Sequence, residues 1–228
     1  AASDVYKRQV IIYAIKTINK NSKMIKKLFS ILVVLPFLFS SCAGYSFLVV
    51  LESVESPVNT KQPFGENKIT TFQNDGKGTC RYEDNYIDIE WQVEDKNFFF
   101  TMRNKTKHII KINWEEACCV DYNGMAGKVI HHGTRIIDRY EKQGFSAIPA
   151  GTTLSDIIIP ADNISYNKYS GWGSKSLIPC KRGNSIESTE IASSFIGKKI
   201  YIILPIVIEN IQNEYTFAFN IVDFWNNF

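Results

Sequence analysis

Apolar and polar residues alternate with a period of two through much of the chain after Tyr86. In Tyr86 to Val93, Ile87, Ile89, Trp91 and Val93 take one side while Asp88, Glu90 and Gln92 take the other, as in a half-buried antiparallel strand. Asp95-Lys96-Asn97 reads as a turn, and Phe98, Phe100 and Met102 then line the inner face of a second strand, so the two make a hairpin. Asn104 to Lys107 is a polar turn before Ile110, Ile112 and Trp114, and Cys118 to Tyr122 ends on Asn123-Gly124. Further strands are expected at Val129 to His132, Arg135 to Asp138 and Thr152 to Ile159. The clearest two come last: Ile200, Ile202, Leu204, Ile206 and Ile208, then Tyr215, Phe217, Phe219 and Ile221, with Asn210 to Glu214 as their connecting loop. Pro205 lacks an amide donor and argues for an edge position or a bulge. Eight or nine strands with frequent turns predict an all-β fold, an antiparallel β-sandwich with a barrel as the alternative. No segment has a convincing helical period, although Ser188 to Phe195 has room for a turn or two.

The N-terminal part follows a different pattern. Leu28 to Phe39 is almost uninterruptedly apolar, follows Lys26 and Lys27, and is too short for the roughly 20 residues that span a bilayer. Ser40-Ser41 before Cys42 resembles the lipobox of bacterial lipoproteins, which implies cleavage before Cys42 and its lipidation. Asp4 to Gln9 resembles the translation of a transposon adapter, so residues 1–23 are read as upstream sequence and Met24 as the start. The expected division is a signal helix over 24–41, a tether with the first strand or strands over 42–78, and the main domain over 79–228. Residues 1–41 hold seven of the 26 Lys/Arg and one of the 23 acids, so the formal charge of +3 becomes −3 from Cys42 onward. No basic surface is left to suggest nucleic acid.

Several segments carry a second resemblance: Phe98-x-Phe100, Asn104-Lys105-Thr106, Ile112-x-Trp114, Val120-Asp121-x-x-Gly124, Val129 to Asp138, Ile148-Pro149 and Asp156 to Pro160. They look like a group of small lipoproteins common in Bacteroidetes that have no assigned activity. The resemblance implies an immunoglobulin-like sandwich in the cell envelope and no reaction. No acid follows Cys42 before Glu52, so the pattern resembling surface export is missing and a periplasm-facing outer-membrane anchor is expected.

Candidate chemistry is sparse. Cys80, Cys118, Cys119 and Cys180 permit one disulfide in an oxidising compartment, with three pairings open when all four are joined. No cysteine or histidine spacing suits zinc, the acidic clusters lack calcium-loop spacing, and no cofactor motif appears. His131-His132 is a candidate general base, and the hydrolase alternative uses His132 with Asp121, Asp138 or Asp156; the competing reading is a structural histidine beside a turn. Tyr166, Tyr169 and Trp172 lie among glycines and serines in Asn163 to Arg182, a segment too polar for a core strand. Either they form a loop that contacts a protein or glycan ligand, or Trp172 folds back to plug one end of the sandwich.

Overall fold

In the computed structural model the described residues are 44–55, 68–74, 77–179 and 185–226. Cys42, Cys180 and the whole signal segment lie outside them.

The described residues form fourteen strands: β1 Tyr45–Glu55, β2 Lys68–Asn74, β3 Lys77–Glu83, β4 Ile87–Val93, β5 Phe98–Asn104, β6 Ile110–Asn113, β7 Cys118–Val120, β8 Ala126–Ile130, β9 Phe145–Ile148, β10 Thr153–Pro160, β11 Ile164–Asn167, β12 Gly171–Ser174, β13 Lys199–Ile208 and β14 Ile211–Asn226. The one α-helix among them is α1, Ile186–Ser193, with Ser185 capping it by accepting from the Ser188 amide. No helix among the described residues is long and apolar enough to cross a membrane. The all-β class that the alternation predicts is the class adopted, with more strands than the eight or nine expected.

Twelve strands make one antiparallel sheet in the order β1-β14-β13-β7-β8-β10-β5-β4-β3-β2, with β6 against β13 and β9 against β6. β10 turns the corner: Thr153 to Ile158 pair with β5, and Ile159 and Pro160 pair with Ile130 and Val129 of β8. The sheet curls until its ends meet and nearly forms a barrel. At that seam the Leu51 amide of β1 donates to Cys80 Sγ of β3 at 3.1 Å. A Cβ on Gly78 would stand 3.0 Å from the Val49 carbonyl, so glycine permits the close crossing. β3 begins at Lys77, and β1 to β3 belong to the same sheet as the later strands.

The inner faces meet in an aromatic core. Ile87, Ile89, Trp91, Phe98, Phe100 and Met102 are fully buried, as their alternation predicts. The Trp91 ring lies 5.2 Å from Phe100, 5.0 Å from Phe217 and 5.4 Å from Phe219, tying β4 and β5 to β14. Such contacts contribute about 0.5–1.5 kcal/mol per pair beyond burial alone. Below them Asp84, also buried, accepts from the hydroxyls of Tyr82 and Tyr215 and from the amides of Tyr86 and Ile87. Desolvation raises its pKa despite these donors.

Four local expectations are corrected. Arg135 to Asp138 is not a strand; Ile136–Asp138 is a 3-10 turn. The β13–β14 connection is tighter than a loop over Asn210 to Glu214: Glu209 and Asn210, with φ of 50° and 67°, form the turn, and Ile211 already pairs with Ile208. Pro205 sits on an interior strand, opposite Glu214. Counting from the tight turn, it falls on a pair whose amide positions point away from β14, toward the gap where β13 passes from pairing with β7 to pairing with β6. A missing donor therefore breaks no ladder bond. Finally, Tyr166 to Trp172 is not an irregular loop but the hairpin β11–β12.

Candidate functional site

The hairpin is built from its turn outward. The Asn167 side chain accepts from the Tyr169 amide at 2.8 Å, and Gly171 takes a φ of +76°, so a short polar turn reverses the chain between β11 and β12. At the base, the Lys175 amide donates to the Asn163 carbonyl, and buried Ile164 packs with Ile130 and Ala161 in a small core of its own. Tyr166 and Trp172 are directly opposed across the strands, which puts both rings on one face, 5.4 Å apart and edge to face. Tyr166 is 63% exposed, Tyr169 at the tip 93% and Trp172 41%. Trp172 is thus not a plug for the sheet's interior, and the three aromatics share one exposed projection.

Arg139 and Tyr140, which the sequence reading did not single out, complete this face. The Arg139 guanidinium lies 5.2 Å from the centroid of Trp172 and 4.8 Å from that of Tyr140. Its Nε is buried with no hydrogen-bond partner, and its Nη1 reaches only the Ile136 carbonyl, at 3.4 Å. The Tyr140 hydroxyl donates to Asp162 Oδ1 at 2.7 Å, fixing the ring beside the hairpin base. Gly127 leaves room for that carboxylate, since a Cβ there would stand 2.7 Å from Asp162 Oδ2. The only sequence signal for this pair is an Arg-Tyr dipeptide directly after the Ile136–Asp138 turn.

Asp162 also lines a cleft of about 910 Å³ at the hairpin base, whose walls include Lys96, Asp121, Tyr122, Met125 and Lys175. Clefts of this size commonly hold small ligands. Asp121 is committed to its own turn, accepting from the amides of Asn123 and Met125 at 2.8 and 2.9 Å. Lys96 and Lys175 form no side-chain hydrogen bond or ion pair with the described residues. Cys119 lies in the cleft wall, its thiol pushed up to about 12 by burial, which leaves it a poor nucleophile. Cys80, Cys118 and Cys119 are all free thiols.

The histidines part company. His131, not His132, meets a carboxylate: its Nδ1 is 3.2 Å from Asp156 Oδ2, and its ring stacks on Trp114 at 4.2 Å and 3°. His132 is exposed and touches Asp156 only through its backbone amide. The nearby serines have structural bonds, Ser146 Oγ accepting from Trp114 Nε1 and Ser155 Oγ pairing with Thr101. Asp121 and Asp138 are engaged elsewhere, the latter with Arg135 at 3.4 Å.

No family model, no curated protein and no solved structure matches this chain.

Proposed function

We propose that the chain is an envelope lipoprotein whose all-β domain is a non-catalytic binding module, presenting Tyr166, Tyr169 and Trp172 with Arg139 and Tyr140 as its ligand face. The lipid at Cys42 holds it on the outer membrane, facing the periplasm, after removal of the signal segment. The observation that carries the binding reading is the exposed Tyr166–Trp172 pair on an ordered hairpin, flanked by an arginine and bordering a cleft. Exposed rings are costly to leave in water, and Tyr, Trp and Arg are the residues that dominate recognition surfaces. Binding is favoured over hydrolysis because the serines near His131 already serve as structural bonds. An immunoglobulin-like sandwich agrees with the packing of β4 and β5 on β14, and the resemblance to small Bacteroidetes lipoproteins agrees with an envelope location.

The test takes the full chain in its native membrane and in detergent. Replacing Cys42→Ala is expected to move the protein to the soluble fraction; retention on the membrane removes the anchor from the reading. Binding to immobilised envelope polysaccharide and peptidoglycan is then measured for the unaltered chain and for Tyr166→Ala/Trp172→Ala. The double variant is expected to keep its near-ultraviolet dichroism from the core and lose binding. Undiminished binding would place the ligand face elsewhere.

A further inference from the structure

The charged groups around the hairpin differ in what they are free to do. Asp121 and Asp162 each spend a carboxylate oxygen on a bond inside the protein, to turn amides and to Tyr140 respectively. The cations do not: Lys96 and Lys175 have no side-chain partner among the described residues, and Arg139 has no carboxylate partner there, held instead between two rings with only a long bond to a carbonyl. A guanidinium stacked on aromatics keeps its in-plane N–H groups for an oxygen acceptor, and its planar fork suits a carboxylate. Two unpaired ammonium groups stand in the wall of the same cleft whose Asp162 anchors the Arg139–Tyr140 edge.

Building on the proposed ligand face, we infer that its ligand is an acidic saccharide, the sugar rings lying against Trp172 and Tyr166 and the carboxylates meeting Arg139 and Lys175. The flat rings supply apolar area for the sugar faces, while the concave, mixed wall of the cleft supplies polar partners. With a net charge of −3 from Cys42 onward, the chain would repel a dense polyanion at long range. The fit is to spaced carboxylates, as on uronic-acid oligomers, held at short range by Arg139 and Lys175.

Calorimetric titration of the full chain in detergent tests this with oligogalacturonate, an alginate oligomer and a hyaluronan oligomer, each beside its methyl ester, which removes the charge and keeps the sugar rings. The expected result is binding of at least one acid, weakened at least about fivefold in its methyl ester, in Arg139→Gln and in Lys175→Gln, and weakened also by added salt. Arg139→Lys separates fork recognition from plain charge and is expected to bind more weakly than the unaltered chain and more tightly than Arg139→Gln, while dichroism verifies that each variant is folded. Equal binding of acid and ester, still lost in Trp172→Ala, overturns the acidic ligand and leaves the binding face intact. Binding of the acid that Trp172→Ala does not change overturns the face itself. Absence of binding to every acid overturns the inference, and the envelope-polysaccharide experiment then decides the face independently.

Discussion

Trp91 and Trp172 both stand on hairpins beside other aromatic rings, yet one is wholly buried and the other 41% exposed. Around Trp91, on β4, rings come both from the neighbouring β5 and from β14, more than a hundred residues away in sequence, and every side of the indole meets protein. Around Trp172, the partners are its cross-strand neighbour Tyr166 and Arg139, and one side is left to solvent. Aromatic content alone does not distinguish a core from a contact surface. What distinguishes them is how many separate parts of the chain converge on the ring.

The sharpest way to break this comparison is Trp91→Ala, expected to cost about 3–5 kcal/mol in denaturant titration, a large part of the usual 5–15 kcal/mol total. Trp91→Phe is expected to cost much less, because Trp91 Nε1 is a buried donor without a partner and phenylalanine removes it. If the two substitutions are equally damaging, the aromatic packing around Trp91 is not what stabilises the core.

A medium effect is expected at the buried carboxylate beside that core. Burial raises the pKa of Asp84 above its ordinary 3.8, so between that value and the raised one the folded chain binds the proton more tightly than the unfolded chain. Its contribution to stability therefore falls as pH rises through this window. Asp84→Asn removes the titration, and the stability of the unaltered chain relative to the variant should decline across the window and then level off. Urea titrations over a pH series check this; a difference that grows with pH reverses the assigned cause.

The smallest effect belongs to the exposed hairpin: Trp172→Ala is expected to cost under about 1 kcal/mol, the range of surface sites, while abolishing ligand binding. Unfolding comparable to Trp91→Ala would make the hairpin part of the core and remove the proposed face.

The long strands were legible because one-sided burial forces a period of two: Ile87 to Trp91, Phe98 to Met102 and Ile200 to Ile208 each point inward as read. β11 and β12 were not, since four-residue strands made largely of exposed polar, aromatic and glycine positions bury only Ile164 and so leave no alternation to see. Adjacent His131 and His132 could not be told apart either, because which one faces Asp156 depends on how the chain leaves β8 beside β10, a relation between segments some 25 residues apart. The same holds for Arg139 and Tyr140: their role comes from Trp172 and Asp162, brought to them by tertiary structure.

The pairing of β1 with β14 has a consequence for the order of events during synthesis. Tyr45 is matched with Asn226 and Leu51 with Phe219, so the first described strand has no ladder partner until nearly the whole chain has been made. Trp91 likewise waits for Phe217 and Phe219 to close over it. A fold dominated by such distant contacts forms slowly, because the loop entropy must be spent before the contacts form. In a nascent chain the local hairpins β2 to β5 have their partners at once, whereas β1 lacks its ladder partner and one side of Trp91 stays open until β14 has emerged from the ribosome.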